Sequence, residues 1–209
     1  LYWVEGSPRR GGRKVLLHRN ALGQTTEALP LLEGSRLVHT ETSLYQASGR
    51  AYAVQDGIIV VSDGTDGRVY YFDTRSTRAS LIPLTQLDKC RYGDFELDLD
   101  RGLVFAIRED HSDPEKVSTA LVTIPLDGSA ARDADLIKVV DDEPDYLLSP
   151  TLSPDGSKLA WVTWNDPDLP WSRSKLHVAA LDEAGQVETE VVLVDRADVS
   201  VTEPRWTLD

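Results

Sequence analysis

The fourteen residues Ser149–Val162, with the sequence SPTLSPDGSKLAWV, contain the pattern that decides the fold. A short segment with apolar residues is followed by a Ser-Pro-Asp-Gly turn and by a second segment of alternating apolar character. Asp-Gly between two such segments is typical of a β-hairpin, because glycine adopts the positive φ that a tight turn requires. The stretch therefore predicts two antiparallel strands joined by a tight turn.

The same hairpin pattern occurs twice earlier in the chain, at Ala51–Val61 (AYAVQDGIIVV) and at Phe95–Ile107 (FELDLDRGLVFAI). The turn glycines are Gly57, Gly102 and Gly156, which lie 45 and 54 residues apart. Repeats of about 40–50 residues that consist of strands are typical of β-propeller blades.

Each hairpin is followed by two further segments that read as strands. The third segments are Arg68–Asp73, Leu121–Asp127 and Leu176–Asp182, and the fourth lie around residues 80–84, 136–140 and 190–194. Four antiparallel strands make one blade. Pro125 cannot donate a hydrogen bond to its neighbour, so we expect a bulge or an unbonded position there. The sequence therefore predicts an all-β fold, a propeller fragment of about four blades of four antiparallel strands each.

Both ends of the sequence correspond to positions inside a repeat. Leu1–Glu5 matches the second strand Leu159–Thr163, and Pro204–Asp209 matches Pro150–Asp155. We therefore expect a first blade that lacks its innermost strand. At 201–208 we expect an additional innermost strand whose own blade is not otherwise present. If these two segments pair, the ring closes at four blades. We favour an open arc, because blades shaped for a larger ring would be strained in a ring of four.

The composition narrows the classes of function. The 209 residues carry 22 Lys and Arg against 35 Asp and Glu, which gives a net charge of −13. A surface this acidic repels phosphate backbones and anionic lipids, so we expect neither a nucleic acid nor a membrane as partner. The single cysteine, Cys90, excludes an intramolecular disulfide and favours a cytoplasmic location. The absence of Met, even at position 1, is expected of a fragment of a longer chain.

Three stretches carry a resemblance to a known family. They are Tyr92–Phe95 leading to Arg108–His111 (REDH), Leu152–Trp161 (LSPDGSKLAW) and Thr163–Trp171 (TWNDPDLPW). In this order they resemble the N-terminal propeller of dipeptidyl-aminopeptidase and acylaminoacyl-peptidase-like enzymes, which belong to the prolyl-oligopeptidase family of serine peptidases. The Ser-Pro-Asp-Gly turn is shared by many propellers, whereas the other runs are more specific. The resemblance extends over essentially the whole chain.

The resemblance implies a two-domain enzyme in which the propeller covers an α/β-hydrolase domain, restricts access to it and helps to hold the peptide. That catalytic domain is absent from residues 1–209, which contain no Gly-x-Ser-x-Gly nucleophile motif. None of the four histidines accompanies a recognisable nucleophile, so the sequence assigns no catalytic residue. The implied function is a substrate-gating and recognition propeller, whose partners are the hydrolase domain of the same polypeptide and a peptide substrate. The alternative is a stand-alone propeller that acts as a protein-interaction scaffold.

The candidate substrate-binding residues are Arg108, Glu109, Asp110 and His111, which we expect on a long loop between a second and a third strand. The resemblance implies that Glu109 or Asp110 holds the free amino terminus of a peptide, since a carboxylate bonds strongly to an ammonium group. The alternative, which we favour, is an ion-pair network of Arg108 with the two acids that shapes the loop.

A second long loop contains Trp164, Asp166 and Trp171, which are expected to lie at the interface with the catalytic domain. We expect Trp164 and Trp171 to pack this loop against a neighbouring blade. Trp161 falls on the apolar phase of its strand and is expected in the core. We predict no metal and no cofactor, because the alternating oxygen spacing of a calcium loop is missing around the acidic residues Asp141, Asp142, Glu143, Asp166 and Asp168.

Overall fold

The computed structural model describes residues 1–208 except 9–10, 33, 35, 43, 45–48, 78–79 and 114. The described residues form fifteen β-strands in four antiparallel sheets that follow one another along the chain. The links 6–14 and 108–117, which the sequence pattern places between second and third strands, lie partly outside the described residues, and so does position 209 of the predicted C-terminal match.

We number the four sheets as blades 1 to 4. Blade 1 has three strands, β1 (Tyr2–Ser7), β2 (Arg13–Arg19) and β3 (Thr25–Glu27). Blade 2 comprises β4 (Tyr52–Gln55), β5 (Ile58–Ser62), β6 (Val69–Asp73) and β7 (Ile82–Pro83). Blade 3 comprises β8 (Cys90–Asp98), β9 (Leu103–Asp110), β10 (Ser118–Pro125) and β11 (Lys138–Asp141). Blade 4 comprises β12 (Tyr146–Leu152), β13 (Lys158–Trp164), β14 (Lys175–Leu181) and β15 (Val187–Val194). The described residues contain no α-helix, and two short 3₁₀ turns, Ser129–Ala131 and Ala134–Leu136, precede β11.

The predicted hairpin turns join the first two strands of blades 2, 3 and 4. Gln55 pairs with Ile58, so the turn between them consists of Asp56 and Gly57, whose φ angles are 46° and 79°. Positive φ at both central residues matches the twist of the two strands. Gly102 and Gly156 also have positive φ, 67° and 68°. The repeated glycines therefore mark these hairpins as the sequence predicted.

The core lies between adjacent blades. Val104 and Val122 of blade 3 pack toward blade 2, together with Val60, whereas Phe105 of blade 3 packs toward blade 4, together with the fully buried Trp161. Successive residues of a strand point to opposite faces, so a sheet covered on both faces needs apolar residues at consecutive positions. This explains the continuous apolar run in β9. The core position predicted for Trp161 is confirmed.

The innermost strands of blades 3 and 4 are connected through Asp94. The pairing shifts between Gly93 and Glu96 in β8, and the intervening Asp94 has a φ of 55°. Its backbone N–H donates to the Arg50 carbonyl (2.8 Å). Its carboxylate accepts hydrogen bonds from Arg50 Nε (3.0 Å) and from the backbone N–H of Ser149. Asp94 thus joins the chain preceding β4 to β12, and we call these contacts the Asp94 clamp.

Of the two alternatives expected at Pro125, the unbonded position is the one observed. Pro125 is the last residue of β10, opposite Leu103 and beyond the pairing with β11, and the β10–β11 irregularity lies between Leu121 and Val122. The strand expected at the C-terminal end is corrected. The segment 201–208 is not a strand. The described residues show no ladder between it and β1, and the Trp206 indole N–H instead donates to the Thr151 carbonyl (3.0 Å).

Within the described part of the chain, no helix is long and apolar enough to cross a membrane.

Candidate functional site

The connections between second and third strands lie at one edge of the blades, which we call the loop face. They are residues 63–68, 111–117 and 165–174. The hairpin turns lie at the opposite edge, because the strands of each blade are antiparallel. The first residue of β8, Cys90, pairs with the last residue of β9, Asp110, so the links that enter an inner strand reach the same face. Function is commonly carried by such connecting segments on a rigid scaffold.

The structure corrects the predicted position of the Arg108–His111 run. Arg108, Glu109 and Asp110 are the last three residues of β9 and pair with β8, and only His111 begins the loop. Glu109 is buried, at 4% exposure, and its Oε2 lies 2.9 Å from Nε2 of His111. Asp110 accepts a hydrogen bond from the Ser112 backbone N–H (2.8 Å), and the Ser112 side chain, together with this backbone contact, lowers the pKa of Asp110.

The ion-pair network expected between Arg108 and the two acids is therefore not the arrangement observed. The carboxylate of Glu109 is paired with His111. Among the described residues, the buried Nε of Arg108 has no hydrogen-bond partner.

A groove of about 510 Å³ opens between blades 3 and 4 on the loop face, and it is strongly acidic. We call it the acidic groove. Among its described lining residues, one cation, Lys116, faces six carboxylates, from Glu109, Glu115, Asp142, Glu143, Asp145 and Asp166. Glu109 and Asp166, which the sequence placed on separate loops, thus line the same groove.

Hydrogen bonds hold the blade 4 side of the acidic groove in place. The backbone N–H of Asp145 donates to Asn165 Oδ1 (2.7 Å), and the N–H of Asp166 donates to Asp145 Oδ2 (3.0 Å). The Tyr146 hydroxyl donates to Asp166 Oδ2 at 3.4 Å. These contacts join the link before β12 to the loop after β13, so the two segments form one connected wall on the blade 4 side of the acidic groove.

Tyr146 lies where the acidic groups converge. Its ring stacks on the indole of Trp164, with 5.2 Å between ring centroids and an interplanar angle of 21°. Partial burial raises the pKa of Tyr146, and the nearby carboxylates of Asp166, Asp145 and Glu109 raise it further, because they disfavour a second negative charge. Sequence reasoning missed Tyr146. Its position directly after the acidic run 141–145, at the start of an inner strand, is the signal that was available.

The two loop tryptophans do not behave as predicted. Trp164 is buried, at 3% exposure, but it is the last residue of β13 and stacks on Tyr146 of its own blade rather than on a neighbouring one. Trp171 is 72% exposed, so it does not pack the loop against another blade. It lines a separate cleft of about 390 Å³ that also includes Arg50 and Arg205.

No group of three or more His, Cys, Asp or Glu side chains arranged to hold a metal ion is found in the part of the chain that the structure describes.

The four antiparallel sheets, which follow one another along the chain and pack face to face, define this chain as a β-propeller. No protein-family model matches the sequence, and no curated protein does either. Solved structures do match. A puromycin-hydrolysing peptidase from Mycobacterium tuberculosis has a TM-score of 0.83 and 30% identity, over 98% of this chain and 32% of its own. A puromycin hydrolase mutant in complex with PGG has a TM-score of 0.84 and 29% identity, over 94% of this chain and 31% of its own.

These structures confirm the resemblance found in the sequence, namely similarity to the propeller of prolyl-oligopeptidase-family serine peptidases. The chain spans about a third of the length of these relatives. A TolB protein from Agrobacterium tumefaciens, with a TM-score of 0.57 and 13% identity over 98% of this chain and 66% of its own, shares the fold alone.

Proposed function

We propose that this chain is the substrate-recognition and gating propeller of a cytoplasmic serine peptidase, whose α/β-hydrolase domain lies elsewhere in the same polypeptide. The observation that carries the proposal is similarity to puromycin-hydrolysing enzymes at 29–30% identity over 94–98% of the chain. The acidic groove on the loop face supports the recognition role. The absence of a nucleophile motif in the sequence is consistent with chemistry performed by another domain.

The acidic groove is suited to the amino terminus of a peptide. Glu109 is nearly excluded from water, which strengthens its attraction for a cation at short range. Asp145 and Asp166 add negative charge on the facing wall, and the Tyr146 ring offers a π face to an ammonium group. In this arrangement Glu109 contacts the amine, and His111 acts as a positioning residue that fixes the Glu109 carboxylate.

Of the other residues predicted for this role, Asp110 does not line the acidic groove and bonds to Ser112. Arg108 does not line the groove either. Trp171 was expected at the interface with the catalytic domain rather than at the amine; it lies in the separate cleft, and its place at that interface stays a prediction. The gating role is part of the proposal: a peptide that crosses this part of the loop face on its way to a catalytic domain would meet the six carboxylates of the acidic groove.

The experiment is a kinetic comparison in the complete polypeptide. Glu109→Gln is expected to raise KM about tenfold for peptides with a free amino terminus, since a hydrogen bond to a charged group contributes about 1.5–3 kcal/mol. Its KM for N-acetylated peptides should stay unchanged. Asp110→Asn is the matched control, because it removes the same charge one residue away and outside the groove.

A binding measurement on the 209-residue chain separates recognition from catalysis. Calorimetric titration with a tripeptide amide should show binding that is lost on N-acetylation and weakened by Glu109→Gln. Equal effects of Glu109→Gln and Asp110→Asn, or equal binding of free and acetylated peptides, would show that the groove does not recognise the amine.

A further inference from the structure

A second cleft, of about 500 Å³, lies on the outer part of blade 2 beside the link from blade 1. We call it the leucine cleft, because its walls include Leu31, Leu32, Leu81, Pro83 and Leu87. Leu31 is 53% exposed and Leu87 is 65% exposed, although both are large apolar side chains. An apolar cleft with a few polar groups is the usual form of a small-molecule site.

The polar part of the leucine cleft consists of Arg36, Asp66, Arg68, Tyr70 and Ser80. Arg36 is neutralised, because one terminal nitrogen pairs with Asp63 and the other lies 2.7 Å from Asp66 Oδ2. Asp66 also accepts a hydrogen bond from the Tyr70 hydroxyl (2.8 Å). The two carboxylates are therefore committed to partners within the protein.

Arg68 is different. Its Nε is buried and has no hydrogen-bond partner, and among the described residues no carboxylate forms an ion pair with its guanidinium. Its backbone is fixed, since its N–H donates to Asp66 Oδ1 (3.0 Å) and its carbonyl accepts from Asp63 N–H (2.9 Å). A buried donor left unpaired is unfavourable and calls for an explanation. Because Arg68 also lines the cleft, an anionic ligand there would pair with the charge of its guanidinium.

We propose that the leucine cleft binds an aliphatic carboxylate of the fatty-acid class, with the carboxylate on Arg68 and the alkyl chain between the leucine walls. A guanidinium bonds a carboxylate through two parallel N–H groups, which fixes the orientation of the ligand. The proposal does not depend on the peptidase function, because the cleft and the acidic groove have no lining residue in common.

The walls favour an alkyl chain over a peptide. An extended peptide needs free backbone groups beside it, but Leu32 N–H already donates to the Arg36 carbonyl (2.8 Å). Pro83 has no N–H at all. The apolar side chains remain as the main contacts that these walls offer.

The test is calorimetric titration of the 209-residue chain with octanoate. Octanol has the same chain length without the charge, acetate has the charge without the chain, and N-acetylleucine represents the carboxyl end of a peptide. We expect saturable binding of octanoate, with octanol and acetate at least about tenfold weaker. Arg68→Gln should weaken octanoate binding about tenfold or more, whereas Arg132→Gln, the same change at an exposed position in blade 3, should not.

Leu87→Ser provides a second variant, since Leu87 is largely exposed and its replacement should leave the fold intact while weakening octanoate. Circular dichroism checks the fold of each variant. No octanoate binding, or binding that is insensitive to both Arg68→Gln and Leu87→Ser, overturns the proposal. Binding of N-acetylleucine without octanoate overturns it too, in favour of a peptide carboxyl terminus.

Discussion

Replacing Asp94 by Asn tests the idea that the inner strands hold the blades together. Asp94 is 5% exposed, and each of its carboxylate oxygens accepts one hydrogen bond, from Arg50 Nε and from Ser149 N–H. An asparagine offers one oxygen and one NH₂ group, so a donor then faces a donor at one of the two contacts. The variant keeps the size of the side chain, and Asn tolerates the φ of 55° at this position.

The magnitude follows from the burial of each partner. The hydrogen bond from the Ser149 backbone N–H to the carboxylate is partly buried, and a bond of this kind contributes about 1.5–3 kcal/mol. The contact with Arg50 counts for less, because the Arg50 side chain is 44% exposed and water screens an ion pair of this kind to about 0–1 kcal/mol. Together these values give a loss of about 1.5–4 kcal/mol for Asp94→Asn. A chain of this size loses about 2–4 °C in Tm per kcal/mol, so we expect Tm to fall by about 3–16 °C.

The assay is urea unfolding followed by tryptophan fluorescence, together with a thermal melt. Asp127→Asn is the control, since Asp127 is exposed and, within the described part of the chain, its side chain bonds locally to the Ser129 backbone N–H (2.8 Å). If the clamp couples the blades, Asp94→Asn should also lower the urea m-value or separate the transition into steps. A midpoint that stays within about 1 °C of the wild type, or an equal shift in Asp127→Asn, would refute the reasoning.

Two further predictions concern a thiol and a turn. Burial, together with the neighbouring Asp88 and Asp110, raises the pKa of Cys90 to about 11. Alkylation by iodoacetamide at pH 8, followed by mass spectrometry, should therefore be about a hundredfold slower in the folded chain than in urea, and equal rates would contradict this. Gly57→Ala should destabilise the chain more than Gly102→Ala, by about 1 kcal/mol or more in urea melts. Both glycines have positive φ, but an added Cβ would lie 3.0 Å from Thr74 Oγ1 at Gly57 and would meet nothing within 4 Å at Gly102. Equal losses would show that the neighbours at Gly57 adjust freely.

The strands and the core were predictable from the sequence because they depend on local pattern. The alternation in Ser149–Val162, the turn glycines and the apolar phase of Trp161 each determine a feature from residues close in the chain. The end of β9 was not predictable in this way. Its charged residues Arg108, Glu109 and Asp110 suggest a loop, yet pairing with β8 continues through all three. Tertiary pairing overrides weak local preference in such cases.

The acidic groove could not be predicted because it is formed between blades. Glu109, Asp145 and Asp166 come from a strand end, a link and a loop that are distant in sequence. Their proximity depends on how blade 4 sits against blade 3, and residue spacing does not encode that angle. The exposure of Trp171 was also unpredictable, because the burial usual for an aromatic residue is only a tendency.

The acidic groove and the Asp94 clamp depend on the same pair of blades. The clamp and a second contact, from Leu152 N–H to Glu96 Oε1 (3.0 Å), fix β12 against β8 at the inner edge. Glu109 pairs with Arg91 of β8, and Tyr146 is the first residue of β12, so the two walls of the groove extend from these same strands. A rotation of blade 4 about the inner contacts would therefore change the separation between Glu109 and Tyr146 directly. For this reason the separation between the two walls of the acidic groove depends on the hydrogen bonds between the inner strands β8 and β12.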